Sequence, residues 1–305
     1  MTVAAHIDKH SGRGRNRMRL KVNGAVISHI GCVRGNNEDN CFADGDMLLP
    51  AEANRGVTLP FSAVQKVHLF AVCDGMGGLA AGEQASNIAT NALRPLMKPL
   101  GEEAIPTVDQ WARGLSEAVR GHFVNQGGDK RGGTTLALLH LQGRSAHIAN
   151  VGDSRVYLLR KGYLAQISCD HSAVYQLMLS GQLTREQMRK HPAANVISCY
   201  LGMPKEREPD PFMFQRCIEL KRDDRFLLCS DGLSDLLPHE QLQQILRESK
   251  TPLEAVRQLV TSALRLSGKD NVTAMVLDVR GNRLPPPETN ALAYEQRIIP
   301  PELTL

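Results

Sequence analysis

Short apolar runs in this chain come in clusters and its longer helix-like stretches come in pairs. That order is incompatible with the strict strand–helix alternation of a parallel sheet. β-like runs fall at 20–29, 67–73, 134–140, 145–150, 154–160, 211–220, 225–229 and 273–279, several of them closing on Gly or Asp turns. The runs 145–150 and 154–160, joined through Gly152 and Ser154, read as antiparallel neighbours; so do 155–159 and 163–167 across the turn at Lys161 and Gly162. Helical spacing of apolar residues marks 81–93 and 108–123, and two further stretches, 241–246 and 253–266, follow Pro238 and Pro252, where proline suits a first turn. The reading is α+β: antiparallel sheets packed together with helices outside, and a long loop at 44–66 as an exposed insertion.

The patterned region spans 20–280 without an internal repeat. Residues 1–19 form a polar, basic leader, and 281–305 a tail punctuated by Pro285, Pro286, Pro287, Pro300 and Pro301. A chain of 305 residues suits one large domain or two small ones. The formal charge of +4 is weak and sits largely in the leader, which reads as solvated; no nucleic-acid partner is expected. Seven cysteines, none at CxxC spacing, argue against a disulfide framework and a zinc site, and point to a reducing, cytoplasmic setting. No signal peptide is visible and no apolar run approaches the ~20 residues of a membrane span.

Four acidic turns abut these apolar runs: GCVRGNNED at 31–39, VCDGMGG at 72–78, CSDG at 229–232 and GKDNVT at 268–273. Carboxylates at strand ends are held by rigid backbone while their oxygens can converge on a cleft. Such donors suit Mg²⁺ or Mn²⁺, which take oxygen ligands and keep several waters. One Asp-Gly step is an ordinary turn; the information lies in the four together.

In chain order the segments VRGNNEDN, CDGMGGLAAGEQAS, GGTT, ANVGDSRVY, CDHS, LLCSDGLSD and GKDNVT resemble the protein phosphatase 2C family of metal-dependent phosphatases in its bacterial form, over residues 25–280. The resemblance implies a four-layer αββα sandwich with two central antiparallel sheets flanked by helix pairs. It implies a serine/threonine protein phosphatase that hydrolyses phosphoserine and phosphothreonine with a metal-activated water and opposes a bacterial Ser/Thr kinase; a monomer is the default expectation. Two Mn²⁺ or Mg²⁺ ions would be held by Asp74, the Gly75 carbonyl, Asp231 and Asp270. Glu38 and Asp39 would hold metal waters or a ligand position, and Arg34 the substrate phosphate. Asp129 with Asp231 would serve a third ion, although its spacing from GGTT differs by about one residue from the family pattern.

The same resemblance makes 172–201 a flap beside the active site, with Thr184 suited to cap a helix. His171 is read as ordering the junction to the flap rather than as a general acid, and Asp153 as structural, pairing with backbone or Arg155. Asn271 has two readings, as a residue orienting Asp270 or its loop and as a plain turn residue. Leu79 stands where bacterial relatives carry histidine. The competing function is a weakly active or inactive module that binds phosphoproteins.

Overall fold

The computed structural model of the chain describes residues 19–47, 58–77, 81–99, 104–125, 132–210, 212–281 and 284–287. In chain order the strands are β1 (Leu20–His29), β2 (Asn40–Ala43), β3 (Asp46–Met47), β4 (Thr58–Gln65), β5 (Val67–Cys73), β6 (Gly75–Met76) and β7 (Gly133–Thr134). They continue as β8 (Leu136–Gln142), β9 (Ser145–Val151), β10 (Arg155–Arg160), β11 (Tyr163–Gln166), β12 (Phe214–Glu219), β13 (Arg225–Cys229) and β14 (Val272–Arg280). The helices are α1 (Ala81–Ala92), α2 (Ala104–Asn125), α3 (Ala173–Leu179), α4 (Arg185–Lys190), α5 (Asp231–Ser234), α6 (His239–Glu248) and α7 (Pro252–Leu266).

Two six-stranded antiparallel sheets face each other, one ordered β11-β10-β13-β14-β1-β4 and the other β12-β9-β8-β5-β2-β3. The reason is visible in single strands. Along β5 every residue is buried, yet successive side chains enter different cores. Phe70 and Val72 meet Val26, Phe226 and Met275 between the sheets, while Leu69, Ala71 and Cys73 meet α1 and α2 through Ala85, Ala89, Leu115 and Val119. On the other sheet Phe226 and Leu228 of β13 point inward, and Leu227 and Cys229 point to α6 and α7 through Leu242, Ile245, Val256 and Leu259. Period-2 side chains on two-sided sheets thus generate four layers with three apolar seams. Each fully buried Phe or Leu contributes about 1.5–3 kcal/mol.

The expected αββα sandwich is therefore observed, with three local corrections. The 145–150 and 154–160 runs are not neighbours: β9 lies between β8 and β12, whereas β10 lies between β11 and β13 in the opposite sheet. Residues 152–154 carry the chain across the sandwich, because both strands are buried on two faces and each needs its own helix layer. The 44–66 segment is not all loop. Its second half is β4, which pairs along β1 from Leu20↔Gln65 to Ile27↔Thr58; alternation of exposed and half-buried residues there leaves only a weak apolar signal. Finally, Leu284, within the proline-punctuated tail, is 2% exposed and packs in the inter-sheet core, while the Pro285 carbonyl accepts from the Arg222 N–H.

Between β11 and β12 the chain makes a helical excursion. Ser172 caps α3, and Thr184 caps α4 in a reciprocal box with Gln187. Val174, Tyr175 and Met188 give it a small apolar centre of its own. Its ends are tied by the Ser172–Ile197 bridge and by the Ser198 N–H donating to the His171 carbonyl at 2.7 Å. Among the described residues no helix is long and apolar enough to cross a membrane.

Leu284→Ala should cost about 2–4 kcal/mol, the range for truncating a buried leucine. Urea unfolding would measure it; a loss under about 0.5 kcal/mol would mean that this residue does not seal the core.

Candidate metal centre

Four loops at one end of the sandwich converge on an open cleft of about 440 Å³ lined by Arg34, Glu38, Asp74, Gly75, Asp231 and Asp270, among others. The loops pack backbone to backbone. A Cβ on Gly75 would lie 2.1 Å from the Gly82 carbonyl oxygen, and one on Gly232 only 1.9 Å from that of Asn271. Glycine follows Asp74 and Asp231 because a neighbouring chain occupies the side-chain position.

Hydrogen bonds then fix the main chain of Asp74 and the carboxylates of Asp270 and Asp39. Asp74 closes β5, and its main chain is clamped by two threonines. Its N–H donates to Thr135 Oγ1 (2.9 Å) and its carbonyl accepts from Thr134 Oγ1 and the Thr135 N–H (both 2.8 Å). Asp231 opens α5. Asp270 receives Arg34 Nη2 on one oxygen and the Asn271 N–H on the other, each at 2.8 Å. The Asn271 side chain accepts from the Glu38 N–H (2.8 Å) and donates to the carbonyls of Ile30 and Asn36 (2.9 Å each). Of the two readings of Asn271, the geometry favours the loop-orienting one: a single amide ties the 31–39 turn to the 268–273 turn.

Asp39 lies behind the cleft wall, 3% exposed. Its Oδ2 accepts from Ser230 Oγ and Thr273 Oγ1 at 2.7 Å each. Its Oδ1 is buried and has no hydrogen-bond donor among the described residues. Burial pushes the Asp39 carboxyl up to about 6. Burial followed by repulsion from Asp270 and Asp39 raises Asp231 to about 6. Asp74 is held well above the carboxylate range by burial and then by Asp39, Asp231 and Asp153.

Among the described residues no three His, Cys, Asp or Glu side chains form a ready-made cage. The donor set nevertheless fits a hard divalent cation: crowded, partly buried carboxylates whose charge wants a counter-ion, one orphaned carboxylate oxygen, and, among the described residues, no thiol or imidazole on the cleft wall. Asp129 and Leu79 fall outside the described residues.

One expectation needs revision. Asp153 does not pair with Arg155, whose guanidinium is bound by Asp170 at 2.6 Å; Asp153 instead lines the cleft, held well above the usual carboxylate range by burial and by Asp231. The clamping threonines, Ser230 and Thr273 also had no assigned role, although they sit inside the motifs. His171 keeps its structural part: its Nδ1 accepts from the Gly152 N–H at 3.1 Å, and burial lowers its pKa.

The family model for protein phosphatase 2C matches residues 58–267. Serine/threonine protein phosphatase PstP of Mycobacterium tuberculosis is 35% identical over 265 residues, 86% of this chain and 46% of PstP; the chain thus spans about half the length of that relative. The serine/threonine phosphatase stp of Listeria monocytogenes is 34% identical over 215 residues, 68% of this chain and 82% of the relative. The PstP catalytic domain, solved in complex with two manganese ions, superposes with a TM-score of 0.68 at 32% identity, covering 86% of this chain and 99% of that one.

Carboxyls raised above their unfolded values stabilise fully below about pH 4, and that contribution is lost as pH climbs through the folded values near 6. With chelator present, the thermal midpoint should therefore fall relative to Asp231→Asn as pH is raised from about 4 to about 7. Parallel wild-type and variant curves by circular dichroism would show that the carboxylates do not repel as described.

Proposed function

The chain belongs to the protein phosphatase 2C family, and we propose that it hydrolyses phosphoserine and phosphothreonine in protein substrates at the cleft of Asp74, Asp231 and Asp270. The observation carrying this reading is that four sequence-distant loops present Glu38, Asp74, Asp231, Asp270 and a half-exposed arginine to one open cleft. Asp74, the Gly75 carbonyl, Asp231 and Asp270 would hold two Mn²⁺ or Mg²⁺ ions, with Glu38 and Asp39 behind their waters and Asp129 with Asp231 serving a third. Such ions lower the pKa of water and offset charge on phosphoryl oxygens.

The chain's own groups supply positioning. Arg34 is 51% exposed at the cleft and its Nη2 is steered by Asp270, which leaves its other N–H donors to face a phosphate and bind it through charge-assisted hydrogen bonds. The Thr134 and Thr135 clamp holds the Asp74 main chain, and Asn271 holds the loop carrying Arg34 and Glu38 against the loop carrying Asp270. Asn195 and Ile197 of the excursion form part of the cleft wall, so 172–201 serves as a flap that meets the protein around the phosphoresidue. The flap is the part through which a substrate would be chosen, since phosphate chemistry alone selects no protein. A cognate Ser/Thr kinase would supply the substrate, and the protein would act as a cytoplasmic monomer.

Turnover of an aryl phosphate and of a phosphothreonine peptide should appear with Mn²⁺ and vanish with chelator; no turnover with Mn²⁺ would sink the proposal. Asp231→Asn should lower kcat by about a hundredfold or more while the circular dichroism spectrum is kept. Arg34→Ala should raise KM about tenfold, the scale of one charge-assisted hydrogen bond. An unchanged KM would remove its phosphate role.

A further inference from the structure

A second cavity, of about 190 Å³, lies under the excursion, between α4 on one side and β10, α5 and α6 on the other. Arg185 and Arg189, one turn apart on α4, line it together with Arg155 of β10, whose guanidinium is already held by Asp170. Arg185 and Arg189 have no ion-pair partner among the described residues. Ser234, the last residue of α5, lines the same cavity; it is 3% exposed and its Oγ is buried without a hydrogen-bond partner among the described residues. Two carboxylates share the wall. Glu186 is engaged by Lys190 at 2.6 Å, which leaves Glu240.

A void of about 10 Å³, lined by Asp153, Arg155 and Arg189 among others, separates this cavity from the catalytic cleft. That space suits about one water and no peptide chain. The two sites are distinct but share walls: Asp153 borders the cleft and the void, Arg155 and Arg189 border the void and the cavity.

Guanidinium forks match phosphate oxygens two at a time, and a buried hydroxyl without a partner is costly until it finds one. We propose that this cavity binds a phosphate group, either free phosphate or one carried on a second phosphorylated residue of a bound protein. The bound group would join α4 to α5, the helix that begins with Asp231, and so hold the excursion against the catalytic end of the sandwich.

Binding can be read without turnover, so the test stands apart from the phosphatase reading. Inorganic phosphate is titrated by calorimetry into the full chain carrying Arg34→Ala, with chelator, to silence the cleft. Binding is expected there, weakened about tenfold or more by adding Arg185→Ala and Arg189→Ala, and tightened by Glu240→Gln. Phosphate should also slow amide exchange over 173–190, and not in the double arginine variant. A second arm compares phosphothreonine peptides carrying one or two phosphates on the chain with Arg34 intact. If free phosphate does not bind, the double arginine variant should raise KM for the doubly phosphorylated peptide alone, with aryl phosphate turnover unchanged, which assigns the site to substrate-borne phosphate. Phosphate binding indifferent to both arginines, or no binding together with no peptide preference, overturns the proposal.

Discussion

Repulsion among crowded carboxylates is the constraint that the rest of this structure has to meet. Asp39 is buried and Asp74 and Asp231 are half-buried at the cleft; Asp39 and Asp231 raise the pKa of Asp74, and Asp270 and Asp39 raise that of Asp231. Nothing in a polypeptide gathers like charges spontaneously; they converge because each is anchored elsewhere. Asp74 ends a strand buried on both faces, Asp231 starts a helix directly after another, and Asp39 hangs from two hydroxyls. Two wide sheets provide the stiffness that these anchors need. The apolar seams are in this sense the counterweight to the cleft, and a divalent cation is the natural relief for the charge they concentrate.

Around the charged centre the supporting bonds are mostly neutral. Ser28, Asn37, Ser230 and Thr273 form a hydroxyl and amide network behind Asp39, with Ser28 and Thr273 hydroxyls at 2.7 Å and Asn37 Nδ2 donating to Ser28 Oγ at 2.9 Å. Neutral donors satisfy a buried carboxylate without cancelling its charge, so affinity for a cation survives. Arg155 is kept out of this set by its bond to Asp170. Arg34 is the cationic side chain on the cleft wall among the described residues, and it sits at the solvent side.

Much of the fold was legible because a strand between two apolar layers has to be apolar on both faces, as in the VHLFAVC and RFLLC runs. The lost parts have equally physical reasons. β4 alternates half-buried with exposed residues and sits at a sheet edge, so its pattern is faint. The partnering of β9 and β10 could not be read from their proximity in sequence, since a three-residue turn can close a hairpin or cross a sandwich, and the choice depends on β8 and β13. At the cleft, the aspartates announced themselves by position after strands. Asp153 did not, because its neighbour Arg155 offered an obvious local partner that Asp170 claims instead. The threonine clamp was hidden for another reason: it acts on main-chain atoms of a residue about 60 positions away.

The pairing of β1 with β14 brings the first and last strands of the sandwich side by side, from Lys21↔Arg280 to His29↔Val272. Chain synthesis gives this adjacency a temporal meaning. The turns holding Arg34 and Asp270 are 236 residues apart, so while the protein is being made the early half of the site waits, exposed, for its partner. Loop closure on that scale is slow compared with local helix formation. The cleft can be completed only after the last strand has left the ribosome and docked, which makes a fully assembled cleft a report on the integrity of the whole sandwich.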